Sequence, residues 1–156
     1  MSNEKSSTKT ECFYGRSVFI TGASSGIGAA LAFEFARKGA RLALAARRTD
    51  RLDDVCALIR QAGGEAIALA CDVRDRSSLD AAINEAVAAF GGLDVVVANA
   101  GYGVSGPMSQ LSTQDYREQF ETHVFGLIDT IYAAMPHLQA SKGQIVLTAS
   151  VLGRVG

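Results

Sequence analysis

The feature of this sequence that most constrains its fold is a regular alternation of short apolar segments with longer amphipathic ones. The apolar segments have the length and composition of buried strands. The amphipathic segments carry apolar residues at helical spacing. The predicted strands are residues 17–21, 40–46, 65–72, 93–101 and 144–150, and the predicted helices are residues 27–39, 50–64, 77–92 and 112–135.

This alternation predicts a doubly wound α/β fold. Strands that are apolar throughout are typical of a parallel sheet covered on both faces, and right-handed crossovers place helices on each face. Ser77 or Ser78 is predicted to cap the third helix. Pro136 is predicted to kink or end the fourth helix, because proline lacks the N–H group. Residues 1–14 are expected to be a polar disordered tail, and residues 15–156 to form one domain.

The charge and the cysteines argue against several classes of function. The formal net charge of −1 predicts no broad attraction to nucleic acid or to an anionic membrane. No segment approaches the roughly 18 apolar residues of a membrane span, and the start, MSNEKSSTKTECFYG, has no apolar run that predicts a signal peptide. The sequence has no Cys-x-x-Cys and no His/Cys cluster, so no metal site is expected. Unpaired cysteines indicate a reducing compartment, and we expect a cytoplasmic protein.

The segment TGASSGIG, residues 21–28, follows the first predicted strand and opens the first predicted helix. In that context Gly22 can make the sharp turn, Gly26 allows close approach of a pyrophosphate, and Gly28 lets the helix pack on the strand. Free N–H groups at the helix start attract phosphate, and the two serine hydroxyls add donors. The alternative is a tight turn with no ligand.

The end of the second predicted strand bears on the choice between NAD and NADP. An acidic residue at this place binds the ribose 2′-hydroxyl of NAD and would repel a 2′-phosphate. The sequence instead has Ala46 followed by Arg47 and Arg48. A guanidinium can hold a phosphate through two parallel hydrogen bonds, so Arg47 is predicted to select NADP. The alternative is that the arginines are solvated surface charges, and it is stronger for Arg48.

Together these segments resemble the short-chain dehydrogenase/reductase family over residues 15–156. TGASSGIG fits the family's T-G-x-x-x-G-I-G, and ANAG fits N-N-A-G with Ala98 replacing the first Asn. CDVRD places Asp72 and Val73 where the family holds adenine, and QIVLTASVLG places Ser150 where it has its catalytic serine. The resemblance implies a Rossmann-like NAD(P)-binding domain whose cofactor-binding residues are Gly22, Ser24, Ser25, Gly26, Ile27, Gly28, Arg47, Asp72, Val73, Asn99, Ala100 and Gly101.

The resemblance also implies an NADP-dependent oxidoreductase that interconverts a small-molecule carbonyl and an alcohol. In the family, a Tyr beside a Lys exchanges a proton with the substrate oxygen, a Ser hydrogen-bonds that oxygen, and a helix Asn holds a relay water. Ser150 matches the Ser, and His123 stands at the Asn position, where an imidazole can also hold a water. The alternatives are a strand-end serine bonded to backbone, and a histidine that is neutral drift or marks relaxed function.

One departure from the family limits these expectations. Its Tyr-x-x-x-Lys motif should follow Ser150 closely, and no such motif occurs in the 156 residues. We therefore expect a sheet that is incomplete at its C-terminal end, a chain that holds the cofactor site with part of the active site, and no activity from this chain alone. The alternative is a non-catalytic nucleotide-binding module or an inactive fragment. For the full-length form, the resemblance implies a homo-oligomer.

Overall fold

The computed structural model describes residues 13–150, which form a five-stranded parallel sheet in the order β3-β2-β1-β4-β5. The strands are β1 (Ser17–Thr21), β2 (Arg41–Ala46), β3 (Glu65–Ala70), β4 (Val95–Ala98) and β5 (Gln144–Leu147). The helices are α1 (Gly26–Arg37), α2 (Thr49–Gln61), α3 (Arg76–Phe90), α4 (Thr113–Phe120) and α5 (Gly126–Ser141), with a π-helical segment, Glu121–Phe125, between the last two. The predicted doubly wound, Rossmann-like sheet is confirmed.

Helices cover both faces of the sheet, and β1 shows why its residues are apolar throughout. Successive side chains of a strand point to opposite faces. Phe19 therefore packs into the core that includes α3 and α5, whereas Val18 and Ile20 pack into the core that includes α2. All three side chains are fully buried. A polar side chain in the middle of this strand would be buried against a helix whichever face of the sheet it pointed to.

The strand order reverses at β1, which pairs with β2 on one side and with β4 on the other. The start of the β1–β4 pair is fixed by Asp94, whose Oδ2 accepts hydrogen bonds from Ser17 N at 2.8 Å and Ser17 Oγ at 3.0 Å. In open α/β sheets, ligands bind at the carboxyl ends of the strands beside such a reversal. The fold therefore directs attention to the loops that follow β1 and β4.

The cap of α3 differs from the prediction. Asp75, not Ser77 or Ser78, caps the helix, and its Oδ1 accepts from Ser77 N at 2.9 Å. A carboxylate also interacts favourably with the positive end of the helix, which a serine hydroxyl cannot match. Ser78 instead accepts a hydrogen bond from Asp72 N at 3.1 Å.

The prediction that Pro136 ends or kinks the fourth helix is wrong about the ending, because α5 continues to Ser141. Ala133, Ala134 and Leu138 on either side of the proline are buried in the core, and this packing offsets the lost backbone hydrogen bond. The regular α-helix is interrupted earlier, at the π-helical segment. Among residues 13–150, none of the helices is long and apolar enough to cross a membrane.

The first described residues belong to the domain. Phe13 packs edge-to-face against Phe35, with ring centroids 4.9 Å apart, and Tyr14 lies against Gly39. Phe13, which the prediction placed in the tail, therefore packs against the core beside α1, whereas the Tyr14 side chain is 80% exposed. The rest of that tail, residues 1–12, lies outside the described residues.

Candidate functional site

A cleft of about 430 Å³ opens at the carboxyl ends of the strands. Of the residues predicted to bind a cofactor, its lining includes Gly22, Ser24, Ser25, Arg47, Asp72, Val73, Ala100 and Gly101. It also includes Ala46, Arg48, Cys71, Arg74, Tyr102 and Thr122, which were not predicted as site residues. The topology therefore gathers residues from four separate loops around one cavity.

The three glycines of the loop after β1 have different surroundings. Gly22 has a φ of +68°, and a β-carbon there would lie 2.8 Å from Ala100 Cα. At Gly28 a β-carbon would meet the Gly22 carbonyl oxygen and, at 2.7 Å, Asn99 Nδ2. Gly26, with a φ of +58°, has no atom within 4 Å of its β-carbon position. The first and third glycines thus permit close packing, while the second borders open space.

Asn99 does not line the cleft, but its side chain is hydrogen-bonded to the first residue of the glycine loop. Its Nδ2 donates to Thr21 O at 3.1 Å, and its Oδ1 accepts from Thr148 Oγ1 at 3.2 Å. Thr21 Oγ1 in turn accepts from the backbone N–H groups of Asn99 and Ala100, each at 3.0 Å. Asn99 therefore links the loop after β1 to the chain just beyond β5. The sequence signal for Thr21 was a polar residue ending an apolar strand.

Arg48 lines the cleft and is hydrogen-bonded to the glycine loop. Its Nη2 donates to Ser24 Oγ at 3.1 Å and to Ser25 Oγ at 2.9 Å. Arg48 is exposed, as the alternative of a solvated surface charge expects, but it also bonds the glycine loop, because the neighbouring strands β1 and β2 bring the two loops within reach. Arg47 is exposed and lines the same cleft. The end of β2 thus presents two guanidinium groups to this cavity.

Asp72 and Val73 follow β3 and form the next part of the cleft wall. The guanidinium of Arg74 contacts the Asp72 carboxylate, with Nη2 at 2.7 Å from Oδ2 and Nε at 3.1 Å from Oδ1. This pairing holds the pKa of Asp72 below its ordinary value, although partial burial opposes the shift. Asp72 is therefore an ionised acceptor near neutral pH, and Arg74 is the partner that the sequence analysis did not identify.

Cys71 is buried at the base of the cleft. Burial raises the pKa of its thiol from 9.0 to about 11, an effect that a hydrogen bond with Ser78 only partly offsets. At neutral pH this side chain is therefore a protonated, weakly nucleophilic thiol. Within residues 13–150, no group of three or more His, Cys, Asp and Glu side chains lies close enough to hold a metal ion.

The raised pKa of Cys71 predicts a stability effect in alkaline solution. The thiol's contribution is fully present below the unfolded pKa near 9.0 and is lost as the pH rises through about 11. The difference in unfolding free energy between the parent and Cys71→Ala should narrow by about 2 kcal/mol between about pH 8 and about pH 10.5. Urea unfolding under reducing conditions measures both proteins at each pH. A constant difference would contradict the prediction.

The two predicted catalytic residues, His123 and Ser150, both lie outside the α-helices and β-strands. His123 is in the π-helical segment, a type of helix distortion that occurs frequently at functional sites. With Thr148 it lines a second, water-sized cavity of about 20 Å³. Ser150 is exposed, and it lies beyond the end of β5 rather than within the strand as predicted. The catalytic roles of both residues stay predictions.

A parallel sheet with helices on both faces and a glycine loop beside the strand-order reversal defines a Rossmann-like α/β protein. A family model described as short chain dehydrogenase matches residues 16–156. The chain therefore belongs to the short-chain dehydrogenase family of oxidoreductases, as the sequence resemblance predicted.

Curated relatives carry oxidoreductase names. An uncharacterized oxidoreductase of Listeria innocua is 37% identical over 137 residues, which are 87% of this chain and 55% of that protein. An 11-beta-hydroxysteroid dehydrogenase-like protein of Arabidopsis thaliana is 41% identical over 138 residues, which are 87% of this chain and 45% of that protein. The chain thus spans about half the length of the curated relatives it matches.

Solved structures give the same fold. A short-chain type dehydrogenase/reductase from Mycobacterium marinum superposes with a TM-score of 0.88 at 32% identity, covering 94% of this chain and 60% of that one. An alcohol dehydrogenase from the archaeon Thermococcus sibiricus, complexed with 5-hydroxy-NADP, superposes with a TM-score of 0.82 at 36% identity. That match covers 86% of this chain and 58% of the archaeal one.

Proposed function

We propose that this chain binds NADP in the cleft and serves an oxidoreductase that interconverts a small-molecule carbonyl and an alcohol. The observation that carries the proposal is the pair Arg47 and Arg48 at the cleft mouth, where an NAD-dependent protein would place a carboxylate. Two guanidinium groups suit a 2′-phosphate dianion better than they suit a ribose hydroxyl. The Thermococcus sibiricus relative, solved with an NADP derivative, agrees with this choice.

The shape and donors of the cleft fit a dinucleotide. The open space beside Gly26 leaves room for a pyrophosphate at the start of α1, where free N–H groups and the helix dipole favour negative charge. Ile27 is 63% exposed in the first turn of α1 and is within the segment a ligand there would contact. Asp72 and Val73 would hold the adenine, while Ala100 and Gly101 border the opposite wall.

Serine hydroxyls have two roles in the proposal. Ser24 and Ser25 accept hydrogen bonds from Arg48, so their own protons remain to be donated to a phosphate oxygen. Ser150 would donate a hydrogen bond to the substrate oxygen. A bound nicotinamide supplies or accepts the hydride. The Thr148–Asn99 hydrogen bond ties the segment leading to Ser150 to the glycine loop, which fixes the two parts relative to each other.

The proposal predicts that the chain binds NADPH more tightly than NADH, by about ten- to a hundredfold, the value of one charge-assisted contact. Arg47→Asp should reverse the preference, because a carboxylate repels the 2′-phosphate and accepts from the ribose hydroxyls. Fluorescence titration of each cofactor measures the dissociation constants.

The matched control is Arg51→Asp, which makes the same change of charge at an exposed position of α2 outside the cleft lining. It should leave the ratio of the two constants unchanged. Equal affinity of the parent protein for NADPH and NADH would refute the assignment of NADP.

A further inference from the structure

The imidazole of His123 forms a hydrogen bond with the backbone of the loop that follows β4. Its ring lies against Gly101, where a β-carbon would come within 2.6 Å of His123 Cε1. Its Nε2 is 2.6 Å from the carbonyl oxygen of Tyr102, whereas Tyr102 N lies farther away, at 3.4 Å. A carbonyl cannot donate, so the shorter contact places the proton on Nε2, which donates to Tyr102 O.

Gln119 makes a second attachment to the same loop. It precedes His123 by four residues, so the two side chains leave the helix on one face. In the amide orientation that gives both its oxygen and its nitrogen suitable partners, Gln119 Oε1 accepts from Val104 N at 2.7 Å, and Gln119 Nε2 lies 3.1 Å from Tyr102 O and 3.3 Å from His123 Nε2. With the proton of His123 on Nε2, Gln119 Nε2 donates to Tyr102 O. The helix therefore bonds the loop at two backbone positions, and the Tyr102 carbonyl receives a donor from each side chain.

The loop needs such attachments because it has no regular structure between β4 and the short turn at Met108–Gln110. Gly101 and Tyr102 nevertheless form part of the cleft wall. We propose that His123 and Gln119 are positioning residues that hold the backbone of residues 101–104 against the helix and so fix this wall of the cleft. Under this proposal His123 acts through a hydrogen bond to the main chain, whether or not it also holds a relay water.

Amide hydrogen exchange in the ligand-free protein tests the proposal directly. Gln119→Leu removes the acceptor of the Val104 N–H, and His123→Phe keeps a ring on Gly101 but removes the donor to Tyr102 O. Exchange at Val104 should accelerate about tenfold in Gln119→Leu and about threefold in His123→Phe. Exchange at Val96, in the core of β4, should stay at the parent rate in both, which separates loosening of the loop from loss of global stability.

The matched control is Gln114→Leu, the same substitution on α4 at a side chain that bonds Glu118 instead of the loop. It should leave Val104 exchange unchanged. Parent-like exchange at Val104 in both Gln119→Leu and His123→Phe would overturn the proposal.

A second readout rests on the proposed nucleotide function. NADPH should bind about threefold to tenfold more weakly to Gln119→Leu and to His123→Phe. The loss of binding free energy in the double variant should be smaller than the sum of the losses in the two single variants, because both side chains act on one loop. Faster exchange at Val104 with unchanged NADPH affinity would overturn the claim that the loop fixes the cleft wall. If the parent does not bind NADPH at all, the proposed function fails, while the exchange comparison still decides the role of the two residues.

Discussion

Replacement of Gly28 by alanine should destabilise the protein by about 3 kcal/mol, the upper range for overpacking a well-packed site. The added carbon would press on the Gly22 carbonyl group and on Asn99 Nδ2, 2.7 Å away, and both are held in place by other contacts. Alanine is the better helix former by about 1 kcal/mol, so helix propensity works against the expected loss and cannot cause it. The midpoint of urea unfolding measures the effect.

Gly92→Ala is the control, since no atom lies within 4 Å of its β-carbon position and its φ is not positive. It should change the unfolding free energy by less than about 0.5 kcal/mol. Because Gly22 lines the cleft and Asn99 is hydrogen-bonded to the glycine loop, Gly28→Ala should weaken NADPH binding under conditions in which the variant remains folded. An unfolding midpoint of Gly28→Ala equal to that of the parent would contradict the prediction. It would mean that the glycine loop and α1 can move apart with no loss of stability.

The 156-residue chain should show no carbonyl-dependent oxidation of NADPH. None of its tyrosines has a lysine four residues later: Tyr14, Tyr102, Tyr116 and Tyr132 are followed at that spacing by Val18, Gly106, Phe120 and Pro136. A positioned general acid contributes about 10²–10⁴-fold to such a reaction, and a serine hydroxyl is too weak an acid to replace it. Rates with a panel of ketones and aldehydes should therefore equal the rate without substrate.

The serine variants decide how a positive result is interpreted. Carbonyl-dependent oxidation that is lost in Ser150→Ala but retained in Ser105→Ala, an exposed loop position, would show that this chain is an enzyme by itself. That result would contradict the assignment of proton transfer to a Tyr-x-x-x-Lys motif. Absence of turnover together with tight NADPH binding agrees with the proposed division between cofactor binding and proton transfer.

The strands were predictable because burial on both faces demands an unbroken apolar run, and β1 matches its predicted bounds, residues 17–21. Strand ends were predicted less well. β4 stops at Ala98, since the N–H groups of Asn99 and Ala100 bond the Thr21 hydroxyl instead of a neighbouring strand. Apolar patterning carries no information about such side-chain contacts, which depend on how the strands are ordered in the sheet.

The candidate site, like the strands, was predictable from the sequence only in part. The glycines were predictable because they stand in a short motif between a strand and a helix, although the atoms that leave no room for a β-carbon at Gly22 and Gly28 include distant Ala100 and Asn99. The hydrogen bonds of Arg48 were not predicted because its partners, Ser24 and Ser25, are 24 and 23 residues away in sequence and become neighbours only when β2 pairs with β1. The contacts of Gln119 were missed for a different reason: its partners are backbone groups of an irregular loop, and apolar patterning does not place such a loop against a helix.

The reversal of strand order at β1 also governs how the chain can assemble during synthesis. Of the five strands in the described residues, β1 is made before the others, yet it becomes the centre of the sheet. Its partner β2 begins 24 residues later, with Ser17 opposite Arg41, but the contacts between Ser17 and Asp94 span 77 residues. Until β4 emerges, one edge of β1 has unpaired backbone groups and uncovered apolar side chains. Such an edge can pair with the wrong strand or bind a chaperone. One edge of β1 therefore stays unpaired while α2, β3 and α3 are being made.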